Sequence, residues 1–279
     1  MNHADMLMAA LVLGCVSMAA PAGAADPQQQ AQAPAPRAQA TQDPDASSGV
    51  SWLTGYRFHL SAASVRDDDP RFDWDAHFGG DVDLVDYGFG RVGLLADYEV
   101  MIGSEFRTID PNQGVYHLDV STSVRSGPTE VAAFFDHVSR HLSDRANHTA
   151  VSWNSAGVLA TTTYRRRAVT ARVDVRAAKV VQAAFVDYRW QLGAGADVEY
   201  PLSRRAALIA MGRVDPTLVD RSVAGRDTQV GATVEGGIRL YGTGAAVEIF
   251  AAWEQRVDPY PLERATRRWA LVGFRFVNR

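Results

Sequence analysis

The chain has 279 residues, of which 47% are hydrophobic and 22% charged, a composition that excludes collagen, a coiled coil and a disulfide-rich scaffold. Its formal net charge is −4. The chain therefore lacks the basic excess with which proteins neutralise nucleic-acid phosphates, and we expect no nucleic-acid partner.

The N-terminal residues have the pattern of a targeting segment. Met6 to Ala20 form an apolar stretch, and small residues follow up to Ala25, which is the layout of a secretory signal peptide. We predict a cleaved signal peptide over residues 1–25. Residues 26–50 are rich in Gln, Ala, Pro and Ser and offer little to bury, so we predict a disordered linker there and a folded domain over 51–279.

The folded domain contains no apolar run of the roughly 20 residues that a membrane helix needs. Its dominant pattern is instead an alternation with a period of two, which indicates β-strands. In one segment Tyr116, Leu118, Val120, Thr122 and Val124 alternate with His117, Asp119, Ser121, Ser123 and Arg125. Twelve such strands are predicted, over 55–63, 71–79, 90–103, 114–125, 129–142, 149–164, 167–178, 183–200, 205–215, 226–241, 245–257 and 267–277.

The connections between these strands alternate in length. Tight turns are predicted at 126–128, 165–166, 201–204 and 242–244, and long polar loops at 64–70, 104–113, 143–148, 214–225 and 258–266. Short turns at one end and long loops at the other are typical of outer-membrane β-barrels. Two segments break the alternation, because 80–89 is long for a turn and 179–182 is short for a loop.

The direction in which the apolar face of the strands points shows whether the barrel is surrounded by water or by membrane. Twelve strands enclose an interior wider than apolar side chains can fill, so we expect the apolar face to meet lipid and the ionic face to line the interior. The predicted inward residues are Asp119, Arg125, Arg172, Asp174, Glu235 and Arg239. Tyrosines near strand ends are candidates for the interfacial girdles; they are Tyr56, Tyr98, Tyr116, Tyr164, Tyr200 and Tyr241. The predicted fold is an all-β, antiparallel up-and-down transmembrane barrel of the outer-membrane type, with outer-membrane lipid as its partner.

The C-terminal segment from Trp269 to Phe276 resembles the closing strand of bacterial outer-membrane proteins. In those proteins an aromatic residue at the end of this strand is read by the barrel-insertion machinery. The resemblance implies that the same machinery is a partner of this chain during biogenesis.

Most catalytic signatures are absent from the sequence, including a Walker loop, H-E-x-x-H, G-x-S-x-G and C-x-x-C. His137, His141 and His148 lie close together, but without a cysteine or a spaced carboxylate pair they predict strand-end and loop histidines and no metal site. No cofactor is predicted.

One constellation stands out against this background. His137, Ser139 and His141 project from the same face of a predicted strand, near the end that leads into a long loop. If the following hairpin folds about residues 143–148, Asn154 comes opposite or diagonal to His137. A serine hydroxyl, an imidazole that takes its proton and a third group that orients the imidazole are what acyl transfer requires.

The His-x-Ser with the later Trp153-Asn154 resembles the active-site strands of outer-membrane phospholipase A, a 12-stranded barrel, and the His-x-Ser is also similar to that of lipid A deacylase. This resemblance implies His137 as the general base, Ser139 as the nucleophile and Asn154 as the orienting group, all on the lipid-facing surface. From about Phe72 to Phe276 the chain also resembles an uncharacterised bacterial envelope family, domain of unknown function 1207. The residues that carry this second resemblance are His137 to Asp144, Val151 to Asn154, Asp258-Pro259 and Arg268 to Phe276.

Three functions are compatible with these features. The first hypothesis, an outer-membrane barrel of undetermined activity, covers two of them: a structural role, and the passage of small polar solutes through a lumen lined by Arg and Asp. The alternative is a lipid acyl hydrolase of the phospholipase A or lipid A deacylase type. The substrate and the oligomeric state are not predicted.

Overall fold

The structure is a computed structural model that describes residues 49–143, 145 and 149–278. Within this part the chain forms a closed barrel of twelve antiparallel strands, in which each strand pairs with its neighbours in sequence and β12 pairs with β1. The strands are β1 (Ser51–Arg66), β2 (Trp74–Asp86), β3 (Arg91–Gly103), β4 (Asp110–Ser126), β5 (Thr129–Leu142), β6 (Val151–Arg166), β7 (Val169–Ala184), β8 (Tyr188–Pro201), β9 (Ala206–Val219), β10 (Gln229–Tyr241), β11 (Ala245–Val257) and β12 (Thr266–Asn278).

The predicted fold class and the predicted number of strands are confirmed, and β5 and β11 have the predicted bounds. The predicted signal peptide and nearly all of the predicted linker, together with Asp144 and His148, lie outside the described residues. Within the described part of the chain, no helix has the length and apolarity to cross a bilayer. The helix α1 (Arg221–Ala224) has four residues and lies between β9 and β10.

Strand β2 differs most from its prediction, which ended it before Gly80. The strand continues to Asp86 because Gly79 and Gly80 are strand residues at a close approach of neighbouring backbones. A Cβ atom on Gly80 would lie 2.2 Å from the carbonyl oxygen of Arg57 on β1, so only glycine fits there. Phe72, predicted at the start of this strand, lies before it and packs inside against Trp269, with ring centroids 5.1 Å apart.

The two ends of the barrel differ as predicted. At the short-turn end, the connections have two to four residues, and the turn predicted at 165–166 lies at 167–168, where Arg167 has a φ of 53°. At the long-loop end, five connections have six to nine residues and one, 185–187, has three. The predicted exceptions thus have simple explanations: β2 continues through most of 80–89, and β7 continues through 179–182.

The outer face of the barrel is mainly apolar and exposed, whereas most ionic residues of the strands point inward. On β4, Leu118, Val120 and Val124 are about half exposed, and the alternating His117 and Ser123 are buried. The six ionic residues that were predicted to line the interior all lie on the inward face. Five of the six predicted girdle tyrosines face outward, but Tyr241 faces inward, where its hydroxyl donates a hydrogen bond to Glu199.

Lipid contact at this outer face can be tested with one substitution. Replacing Val120 with arginine should lower the free energy of unfolding in lipid vesicles by about 2–4 kcal/mol, because a charged group would be placed in hydrocarbon. Urea titration of vesicle-reconstituted protein measures the loss. Val223 on α1, which is 60% exposed but outside the strands, provides the control, and Val223→Arg should change little. Equal effects of the two substitutions would contradict a lipid-covered barrel wall.

Candidate active site

The predicted site lies on the outer face of β5, close to the long-loop end. His137, Ser139 and His141 alternate with Val138 and Arg140, which are buried inside the barrel. The period of two of a strand therefore places the three polar side chains on the surface that the apolar residues of β4 and β5 also form.

His137 and Asn154 are directly opposite each other in the register of β5 and β6. The Nδ1 atom of His137 lies 2.7 Å from Oδ1 of Asn154, and Nδ2 of Asn154 donates a hydrogen bond of 2.9 Å to Oε1 of Gln182 on β7. Because the amide nitrogen is directed to Gln182, the amide oxygen faces the imidazole and accepts the hydrogen of Nδ1. The lone pair of His137 is therefore on Nε2, which is the tautomer that a general base needs.

A β-bulge in β7 brings Gln182 to this site. Asn154 pairs with Gln182 and Ser155 pairs with Val180, so Val181 is an extra residue in β7. Without the bulge, Gln182 would follow the inward parity of Arg172 and Asp174, whereas the extra residue turns it outward. Gln182 was missed from the sequence, because 179–182 was predicted as a short connection, whereas β7 continues to Ala184.

Ser139 makes its hydrogen bond with His141. The Ser139 Oγ atom lies 2.8 Å from Nε2 of His141, and within the described part of the chain the hydroxyl makes no hydrogen bond with His137. Both imidazoles are two residues from Ser139 on the same strand face. Rotation about the Cα–Cβ bond of Ser139 redirects the hydroxyl from one ring toward the other.

A row of aromatic side chains leads along the outer face to this site. Phe78, Tyr98 and Tyr116 follow one another on β2, β3 and β4, with ring centroids 5.3 Å and 4.6 Å apart. The Tyr116 and His141 rings then form a T-shaped pair, with centroids 5.5 Å apart and an interplanar angle of 80°. Gly114, the register partner of His141, leaves room for Tyr98, whose ring would clash with a Cβ atom there. The row fixes the orientation of the His141 ring.

The interior of the barrel is filled by ion pairs. Some connect strands on the same side of the barrel, such as those of Arg275 on β12 with Glu235 on β10 and Glu248 on β11, at 2.8 Å and 2.6 Å. Arg256 on β11 reaches across to Asp75 on β2 and Glu99 on β3, at 2.5 Å and 2.6 Å. A cavity of about 40 Å³ remains beside this group, which is room for one or two water molecules.

The loop between β11 and β12, residues 258–265, folds over the mouth of the barrel. Asp258 accepts hydrogen bonds from the Tyr188 hydroxyl and from Arg226, and the carbonyl oxygen of Pro259 accepts one from Gln113. Burial alone would lower the pKa of Arg226, but its hydrogen bonds to Asp258 and Asp187 raise that pKa above its ordinary value. The cation therefore ties this loop to the neighbouring connections 185–187 and 220–228.

One cluster in the described part of the chain has the donor set of a metal site. Asp75, His77 and Glu99 offer ligand atoms within 4.8 Å of one another inside the barrel. The Arg256 guanidinium contacts both carboxylates, so this group already supplies the positive charge that they require. We therefore assign the cluster to the structural ion pairs of the interior.

The chain matches no protein-family model and no curated protein. Among solved structures, it is similar to the outer membrane phospholipase A from Escherichia coli, with a TM-score of 0.51 and 11% identity over 82% of this chain and 98% of that chain. An active-site mutant of that protein gives a TM-score of 0.51 and 12% identity over 86% and 95%. The Salmonella typhi outer membrane phospholipase, solved as a dimer with bound calcium, gives 0.50 and 12% over 81% and 91%.

At identities this low, the similarity establishes the fold, which is that of an outer-membrane β-barrel. It does not transfer an activity, because one fold hosts many functions. The resemblance to domain of unknown function 1207 stays a prediction. So do the catalytic roles of His137, Ser139 and Asn154, although the three residues lie on one face as expected.

Proposed function

We propose that this chain is an outer-membrane hydrolase that cleaves fatty-acyl esters of membrane lipid. In this proposal Ser139 is the nucleophile, His137 is the general base and Asn154 is the orienting group. The observation that carries it is the imidazole fixed by an amide beside a serine, on the outer face of a barrel whose strands are apolar on that side.

The chemistry follows from the tautomer of His137. When the Ser139 hydroxyl turns toward His137, its oxygen attacks the ester carbonyl carbon and its proton passes to Nε2. Asn154 keeps the ring in place and stabilises the imidazolium through the hydrogen bond at Nδ1. The bond between the carbonyl carbon and the alcohol oxygen then breaks, the alcohol leaves with a proton, and water hydrolyses the acyl-serine to release the fatty acid.

The surroundings of the site fit an acyl substrate. Leu118 lies opposite His137 in the register, and Val120 lies opposite Phe135 one step further from the long-loop end. These three apolar side chains, each about half exposed, continue the face below the serine. A fatty-acyl chain packed on them would bring its ester group to the level of Ser139, where water reaches the site from the loops.

The three solved structures described above support the same proposal, because each is an outer-membrane phospholipase. We accordingly propose that the chain is exported through a cleaved signal peptide over residues 1–25, is inserted into the outer membrane by the barrel-insertion machinery, and meets its lipid substrate there.

A solute-passing role is less well supported. The ion pairs of Arg256 with Asp75 and Glu99 reach across the interior, and the loop 258–265 lies over its mouth. Within the described part of the chain these contacts occupy the interior, so they favour the outer face as the functional surface. Conductance in planar bilayers tests this competitor directly.

Fatty-acid release is the decisive assay. Refolded protein in mixed micelles with phospholipid or lipid A, assayed with calcium and with a chelator, should release fatty acid. Ser139→Ala should reduce the rate by about 10³-fold or more, because it removes the nucleophile. Ser121, a serine on the inward face of β4, is the matched control, and Ser121→Ala should keep the activity. Release that survives Ser139→Ala, or no release by the natural chain, would refute the proposal.

A further inference from the structure

Two imidazoles flank the one serine of the proposed site. His141 holds the Ser139 hydroxyl at 2.8 Å through Nε2, and Nε2 of His137 is free to accept a proton because Nδ1 is bound to Asn154. A serine hydroxyl has a single proton and can donate it to only one ring. The two rings therefore cannot serve Ser139 in the same way. On the basis of the proposed function, we ask which catalytic role each imidazole has.

The structure distinguishes the two rings by their partners. His137 is held by an amide oxygen that accepts the hydrogen of Nδ1, so its tautomer is that of a base. His141 is exposed and forms a T-shaped ring pair with Tyr116. Because its side chain is exposed near the long-loop end of β5, His141 can exchange protons with water from the loops. An imidazole that is oriented by an aromatic ring and is in contact with water is suited to donating a proton and regaining one.

We propose that His141 is a second catalytic group, which delivers a proton to the departing alcohol oxygen while His137 takes the proton of Ser139. The alcohol oxygen and the Ser139 oxygen are bonded to the same carbon in the tetrahedral intermediate. A ring whose Nε2 lies 2.8 Å from the serine oxygen is thus within reach of the oxygen that leaves.

The proton balance closes over one cycle. In acylation, Ser139 gives its proton to Nε2 of His137, and the protonated His141 gives the proton on its Nε2 to the alcohol as the ester bond breaks. In deacylation, water attacks the acyl carbon and passes a proton to His141. The bond to the serine oxygen then breaks, and His137 returns its proton to Ser139. Both rings end in their starting states, and no further reactant is needed.

The leaving group provides the test. p-Nitrophenyl palmitate and 1-palmitoyl lysophosphatidylcholine present the same acyl chain, but p-nitrophenolate departs without a proton whereas the glycerol oxygen needs one. We expect His141→Gln to slow acylation by the lysophospholipid by about 10²-fold or more. The same variant should keep the first-turnover burst of p-nitrophenolate, and the palmitoyl group should then accumulate on Ser139 in intact-mass spectra, because deacylation lacks its base.

Three comparisons make the result interpretable. His137→Ala should lose the burst with both esters. His59→Gln removes an imidazole that faces the interior and contacts Asp97, and it should behave as the natural chain. His141→Asn is a second variant of the same residue, alongside His141→Gln. The heat-modifiable gel mobility of each variant shows whether it is folded.

The inference is overturned if His141→Gln loses the nitrophenolate burst as His137→Ala does, or if it cleaves the lysophospholipid at the natural rate. Either result leaves the proposed function standing, because Ser139 and His137 are tested separately. If the natural chain shows no turnover of either ester that depends on Ser139, the proposed function and this inference both fail.

Discussion

Replacing His137 with alanine is expected to lower kcat for acyl hydrolysis by about 10³-fold or more, because the serine then has no base held in the reactive tautomer. Asn154→Ala should lower kcat less, since the imidazole remains but loses the oxygen that fixes Nδ1. Initial rates of fatty-acid release over a range of substrate concentrations measure both effects, and KM should change little.

Groups that act as one unit show losses that do not add. The double variant of His137 and Ser139 should therefore be no slower than Ser139→Ala alone. The interior His59→Gln variant should retain the natural kcat. Additive losses, or full activity of His137→Ala, would show that His137 is not the base.

The second large effect is expected on stability. Arg256→Gln should lower the free energy of unfolding by about 3–5 kcal/mol, because it leaves buried carboxylates without their cation. The guanidinium contacts Asp75 and Glu99 at 2.5 Å and 2.6 Å and also pairs with Glu254, and both Asp75 and Glu254 are buried. Without the cation these carboxylates would repel one another across the interior.

Urea titration in detergent, followed by heat-modifiable gel mobility, measures this loss. Arg221 on α1 is the matched control, because it pairs with Asp227 and both side chains are about three quarters exposed. Arg221→Gln should change the free energy by about 0.5 kcal/mol or less. If Asp75→Asn restores part of the stability of Arg256→Gln, the loss comes from the unpaired carboxylate. Equal losses for Arg256 and Arg221 would contradict the interior network.

The strands with the clearest boundaries were predicted best. In β5 and β11 the alternation is regular and turn residues border both strands, so the sequence reveals their start and end. Strand β2 was cut short because its glycines resemble a turn in sequence, although the close approach to β1 is what requires them. Tyr241 was assigned to the outer girdle by its place near a strand end, but it shares the inward parity of Glu235 and Arg239 and hydrogen-bonds Glu199 there.

The alternation of side chains along a strand was enough to predict which face the main residues of the candidate site occupy. Parity placed His137 and Ser139 on one face, and a hairpin about residues 143–148 brought Asn154 opposite His137. Parity also gave His141 the same face, but the sequence could not tell which ring the serine contacts. That choice depends on the rotamer of Ser139 and on Tyr116, which orients His141.

The sequence by itself thus determined that the chain forms a barrel of twelve strands with an apolar outer face, because alternation and turn chemistry are local properties of the chain. Only the tertiary structure decided which side chains meet. Gln182 reaches Asn154 through a bulge that no alternation reveals, and Arg256 meets Asp75 across 181 positions of sequence. Such contacts depend on the register of every strand and on the closure of β12 onto β1, which are fixed only when the whole barrel is assembled.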